Sequence, residues 1–192
     1  MDRLVHILER HEIFNKFFRI DEVKLQHRRF DGSMSAPISR LVLDRGDSVA
    51  ILPHDPARNL VLLCEQFRVP TYDKGPGWLL EIPAGMLDDG EEPETRARRE
   101  TLEEIGYAIG ALDRIGCVYL SPGGFSERIH IFHAAVSISD RASAGGGLAE
   151  EGEDIRVVTL TTGEAFAMAR RGEIADAKTL IALQWLELQP GR

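Results

Sequence analysis

Hydrophobic positions along this chain repeat first with a period of two. Residues 18–28 (FRIDEVKLQHR) alternate imperfectly between apolar and polar. A turn signal, Asp31-Gly32-Ser33, separates them from residues 38–43 (ISRLVL), which gives a hairpin pattern. Residues 48–52 and 60–67 read as further apolar strands, broken by His54-Asp55-Pro56, and residues 78–82 as another. The period then changes. Residues 93–105 predict the first strong helix, with Pro93 at a first helical position and Gly106 just past the end. Residues 112–120, 128–136 and 154–160 return to strand, and residues 162–171 and 177–188 predict two closing helices. Strands, one helix, strands, two helices is the order of an α+β layered fold rather than of a parallel βαβ array.

Composition narrows the class without naming a function. The 192 residues suit one ordinary domain, and 43% hydrophobic with 28% charged residues is a globular balance. Two cysteines, Cys64 and Cys117, each lie in an apolar run and read as structural thiols rather than a disulfide framework. No apolar run approaches the roughly 20 residues of a membrane span. The opening MDRLVHILERHE carries charges throughout, unlike a secretory signal, so a reduced cytoplasm is expected. The tract Ala144-Gly145-Gly146-Gly147 reads as a mobile loop.

Charge changes the picture more. Twenty-three basic against thirty-one acidic residues give −8, too acidic for a general binder of nucleic-acid backbone. The surplus is local. Residues 85–107 hold eight acids against three arginines, and residues 148–154 hold four acids and no base. The remainder carries one net positive charge. Within the first segment Glu100, Glu103 and Glu104 lie at i, i+3 and i+4, on one helix face, where like charges repel. One reading is a solvated acidic face balanced by Arg96, Arg98 and Arg99. The other is a seat for a hard divalent cation, because Mg²⁺ takes carboxylate oxygens.

The spacing of Gly85, Glu91, Arg99, Glu100, Glu103, Glu104 and Gly106 resembles the box of the Nudix hydrolases. Seven fixed positions match by chance on the order of once in 10⁸ starts. Thr101 departs from it, standing where the family has an aliphatic residue. The resemblance implies a Nudix α/β/α sandwich with an N-terminal antiparallel β extension, residues 1–45 ahead of a hydrolase domain at 46–192. It implies Glu100 and Glu104 as metal ligands with the Ala84 carbonyl, and Glu103 as ligand or close neighbour. It also implies that Arg99 orients the box carboxylates and that Glu91 braces the turn. Mg²⁺, with Mn²⁺ as a substitute, is the implied cofactor.

Other words point to a branch. Ser121-Pro122-Gly123-Gly124-Phe125-Ser126-Glu127-Arg128, Glu65-Gln66-Phe67-Arg68 and Ala84-Gly85-Met86 resemble the ADP-ribose and GDP-mannose pyrophosphatases. That likeness implies hydrolysis of a nucleoside diphosphate sugar: ADP-ribose to AMP and ribose 5-phosphate, with GDP-mannose as the alternative. A Nudix-fold sensor that binds without cleaving would have lost box carboxylates, and all are present. The likeness further implies a homodimer, with the extension exchanged, and no nucleic-acid or membrane partner. In the second acidic segment it implies Glu151 as general base and Glu153 as an extra metal ligand, with Glu150 close enough to compete for the first role. The glycines before them read as the hinge of a lid. For the substrate, Arg68 is the first candidate for the diphosphate, because guanidinium matches phosphate oxygens. Arg40 and Arg45 follow. Glu127 reads as a ribose or metal-site contact, Phe18 as a base stacker or core residue, Lys178 as a phosphate contact, and Met86 as part of the substrate site.

Overall fold

The computed structural model describes residues 3–189. The chain divides into two compact units, Met1–Gly46 with Tyr119–Arg128, and Asp47–Val118 with Ile129–Arg192.

The first unit is a three-stranded antiparallel sheet. Its strands are β1 (Val5–Asn15), β2 (Arg19–His27) and β3 (Ile38–Asp44), with β2 in the middle. The β2–β3 hairpin is the one its alternation predicts, and Asp31 closes the intervening turn by accepting from the Ser33 N–H and hydroxyl. β1 is an element the apolar pattern does not signal. All eleven of its residues are exposed, so no burial imposes a period of two. Residues 119–128 join this unit through backbone bonds: Leu43 N–H donates to Gly124 O, and Ser126 N–H to Leu43 O. The sequence division after residue 45 had left that segment with the second unit.

The second unit holds the core. The next strands are β4 (Ser48–Asp55), β5 (Leu60–Phe67), β6 (Trp78–Glu81) and β7 (Ala84–Met86), with a single turn, α1 (Val69–Tyr72), between β5 and β6. Helix α2 (Pro93–Glu100) runs directly into a π-helical turn, Thr101–Ile105. β8 (Asp113–Tyr119), β9 (Arg128–Ala135), β10 (Arg156–Thr161), α3 (Thr162–Arg171) and α4 (Ala177–Glu187) complete it. The sheet order is β10-β5-β4-β9-β8, with β6 on β5 and β7 on β4. β4 lies in the middle and every one of its residues is buried.

β4 also shows why this is a sandwich. Ala50 and Leu52 pack with Val61, Leu63, Ile131 and the α3–α4 residues Ala165, Ala182 and Leu183. Val49 and Ile51 point the other way, to Ala97 of α2 and Phe132. Strand alternation thus feeds two helical layers, one on each face. The strand runs three residues past the predicted end, through Pro53. β4 pairs β7 at Ser48–Ala50 and β5 at His54–Asp55, so Pro53 falls between those ladders, where its missing N–H breaks neither. Both cysteines are free thiols, as their settings imply. No helix among the described residues is long and apolar enough to cross a membrane.

Candidate metal and active site

The site is built where α2 meets β7. The turn before the helix is braced: Arg99 lies 2.9 Å from Asp88 and 3.2 Å from Glu91, and Glu91 in turn accepts from Asp88 N–H. Of the box carboxylates, Arg99 thus holds Glu91. Its guanidinium reaches the turn, and the arginine on Glu100 is Arg96, at 2.5 Å. That pair stands at i, i+4 on the helix, and Arg96 is one of the arginines that balance the acidic face.

Glu100 is buried and lies against the backbone of Gly85, where a Cβ atom would overlap its carboxylate. Only glycine leaves that seat open. The helix then widens into the π turn, a feature frequent at functional sites. Thr101, the departure from the box pattern, is fully buried, and its hydroxyl donates to Ala97 O at 2.7 Å. A buried hydroxyl needs such a partner, so the substitution satisfies itself within the helix.

Glu104 is 1% exposed. Its Oε2 accepts from Ala84 N–H at 3.1 Å and from the Cys64 thiol at 3.6 Å. Burial, then the charge of Glu100 and that of Glu153, push its carboxyl up to about 8, against the Ala84 and Cys64 donors. Cys64 is itself pushed upward by burial and by Glu104. Carboxylates from two separate segments, Glu100 and Glu153, thus oppose the ionisation of Glu104. Glu103, half-buried, stands on the same turn.

Among the described residues, no three Asp, Glu, His or Cys side chains stand close enough to grip a metal ion as they are. The donor chemistry nonetheless fits a hard cation. Glu100 at Gly85 and Glu104 at Ala84 N–H set two carboxylates on neighbouring residues of β7, with Arg96 as the cation now at Glu100.

The second acidic segment sits beyond the glycine tract. Glu153 is half-buried and accepts from Leu148 N–H at 2.9 Å. Glu151 ends a 3₁₀ turn, Ala149–Glu151, and its side chain lies outside the described atoms. Glu150 is exposed. The tract itself departs from the mobile-loop reading: its backbone is bonded to the end of the box helix, with Gly146 N–H on Glu104 O and Gly147 N–H on Glu103 O.

Ala84 and Met86 lie on β7, opposite Ala50 and Ser48. Arg68 donates through Nε to Glu81 at 2.7 Å and keeps 39% of its side chain exposed. Lys178 is 7% exposed and donates to Glu81 at 2.5 Å and Asp176 at 2.9 Å. Its charge is consumed inside the protein, so the expected phosphate contact is corrected to an internal ion pair. Glu81 carries no local signal, since its role arises from a contact 97 residues away, whereas Asp176 had one, as the cap just before the last helix.

The remaining candidates belong to the first unit. Arg40 lies on β3 opposite Val23 and donates to Ser39 O. Arg45 pairs with Glu127 at 3.4 Å. Phe18, half-buried, meets Phe17 edge to face at 4.8 Å.

The description "NUDIX domain" matches residues 44–183. The chain belongs to the Nudix family. Among its Nudix relatives, the ADP-ribose pyrophosphatase of Escherichia coli (strain K12) is 41% identical over 187 residues, 96% of this chain and 88% of the relative. The GDP-mannose pyrophosphatase of Pectobacterium atrosepticum is 41% identical over 186 residues, 96% of this chain and 94% of the relative. A solved structure described as an ADP compounds hydrolase superposes with a TM-score of 0.73 at 20% identity, covering 98% of this chain and 97% of that one. That likeness shows a shared Nudix fold.

Proposed function

We propose that this chain is a Mg²⁺-dependent pyrophosphohydrolase of nucleoside diphosphate sugars, splitting ADP-ribose into AMP and ribose 5-phosphate. The observation that carries this reading is the packing of two buried box carboxylates on β7, Glu100 against the backbone of Gly85 and Glu104 on the Ala84 N–H. An excess of carboxylate in a buried place calls for a cation. Glu100, Glu104, Glu153 and the Ala84 carbonyl would hold it, with Glu103 beside them; Mn²⁺ would substitute. When bound, the metal supplies charge neutralisation of the diphosphate and a more acidic water.

The chain's own residues do the rest. Glu151 takes the proton from the attacking water, and the exposed edge of Arg68 binds diphosphate oxygens. Glu81 holds Arg68 by its Nε, and Lys178 holds Glu81, so this buried network aims the guanidinium. Arg99 keeps the turn before the helix fixed. Arg40, Glu127, Phe18 and Met86 are proposed for the remainder of the substrate. The N-terminal unit serves as a dimerisation extension: β1 exposes Val5, Ile7, Ile13 and Phe14, apolar positions that a second copy would cover.

GDP-mannose is the second reading, favoured by the equal identity to the Pectobacterium enzyme. Turnover with Mg²⁺ across ADP-ribose, GDP-mannose, ADP-glucose and NADH, with products identified, tests both. Release of AMP and ribose 5-phosphate fastest from ADP-ribose is the expected result. Preferred cleavage of GDP-mannose would replace the first reading with the second, and no metal-dependent turnover of any of the four would overturn both.

A further inference from the structure

A helix end leaves carbonyl groups without intrahelical partners. At the end of the box helix those groups belong to Glu103 and Glu104, the residues whose side chains form the site. Gly146 N–H donates to Glu104 O at 2.9 Å and Gly147 N–H to Glu103 O at 3.2 Å. The helix ends on Gly106 in the left-handed region, with φ of 83°. Gly106 O accepts from Ala142 N–H at 2.7 Å and Ser143 N–H at 3.1 Å. Two segments some forty residues apart in sequence are thus joined by four backbone bonds.

The fit depends on absent side chains. Gly145, Gly146 and Gly147 have φ of 63°, 106° and 78°, a run of left-handed values that only glycine sustains cheaply. A Cβ on Gly145 would come within 2.7 Å of Glu104 O. One on Gly147 would come within 2.5 Å of Glu153 Oε2. Glu153 meanwhile binds back to Leu148 N–H. By contrast, Gly152 has open space around it.

We propose that Gly145-Gly146-Gly147 is a fixed bracket that caps the box helix and holds Glu153 in register with Glu103 and Glu104, any motion of the acidic loop being confined to residues 149–152, between the bonded Leu148 and Glu153. These glycines are positioning residues. They touch no substrate, and they act through the carboxylates whose backbone they hold. The proposal rests on the metal assignment above but not on the identity of the sugar.

Hydrogen exchange in the wild-type protein without substrate is the first test. The amides of Gly146 and Gly147 are expected to exchange slowly, in step with residues 101–105. Exchange at the rate of an open loop while the helix stays protected would overturn the bracket. The second test is Mn²⁺ binding followed by electron paramagnetic resonance, which needs no turnover. Gly147→Ala is expected to weaken Mn²⁺ binding by about tenfold and to lower kcat similarly with KM within about twofold, since a small misplacement at reacting groups is costly. Gly110→Ala, at an open position, is expected to change neither. Unaltered Mn²⁺ binding in Gly147→Ala would contradict the proposal. If that variant does not fold, the exchange measurement decides. If wild type binds Mn²⁺ but cleaves no nucleotide sugar, the functional reading fails and the bracket stands.

Discussion

The two acidic segments of this Nudix protein are built in opposite ways. In residues 85–107 the charges are held mainly by side chains, Arg99 on Asp88 and Glu91, Arg96 on Glu100 and Cys64 on Glu104, with the Ala84 N–H as a backbone donor to Glu104. In residues 148–154 no basic side chain exists. There the backbone does the holding, through the glycine bracket and the Leu148 N–H on Glu153. The first segment sets its buried carboxylates on a helix against β7; the second is a short loop tied at both ends, by Gly146 and Gly147 to the helix end and by Ile155 N–H to Gly146 O. A metal site on the first with a proton acceptor on the second would divide the labour of hydrolysis between a fixed part and a moving part.

The largest effect is expected at the fixed part. Glu104→Gln should lower kcat by at least about 10³-fold, the scale of removing a group that acts on charge in the transition state, with the circular dichroism spectrum unchanged. Turnover near wild type would remove Glu104 from the site. On the loop, Glu151→Gln should lower kcat by about 10²–10⁴-fold, the range for a general base, with KM little altered. If Glu150→Gln does this instead, the base has been placed one residue too late.

The same comparison has a stability side. Lys178→Met would leave Glu81 buried without its closest cation, a loss of about 3 kcal/mol or more by chemical denaturation. Glu104 carries a pH dependence of definite sign. Its folded value, about 8, lies above its ordinary 4.5, so the folded state binds the extra proton between them. Without divalent metal, stability should therefore be highest on this account near pH 4.5 and fall as pH rises through 8. Glu104→Gln should flatten that slope and raise Tm at pH 8 by about 5 °C. A wild-type slope of opposite sign between pH 5 and 8 that Glu104→Gln leaves unaltered would contradict the burial argument. The smallest effect is at Arg96. Replacing it by Gln removes a cation that competes for Glu100, so Mn²⁺ should bind a few-fold tighter, while stability in chelator falls because Glu100 is left buried without that cation.

These residues also mark how far the sequence could be read. The box was legible because its chemistry repeats at helical spacing, and the strands of the second unit because burial forces an apolar pattern. β1 was not, since a strand exposed on both faces carries no such pattern. Strand β4 was cut short at Pro53, whose tolerance depends on two ladders meeting around it. In the site, Glu81 and the contact of Cys64 with Glu104 were not legible, because they depend on residues 97 and 40 positions away along the chain. The glycine tract was read by its freedom in isolation, which local composition reports faithfully. Its bonds to the helix end, Gly146 N–H on Glu104 O and Gly147 N–H on Glu103 O, are tertiary and leave no trace in local composition.

The central claim is that the two acidic segments serve one cation. Equilibrium Mn²⁺ binding to wild type, Glu104→Gln and Glu153→Gln tests it without recourse to turnover. Both variants are expected to bind at least about tenfold more weakly, a loss of about 1.4 kcal/mol each. Wild-type affinity in Glu153→Gln beside a clear loss in Glu104→Gln would show that the second segment stands apart from the metal.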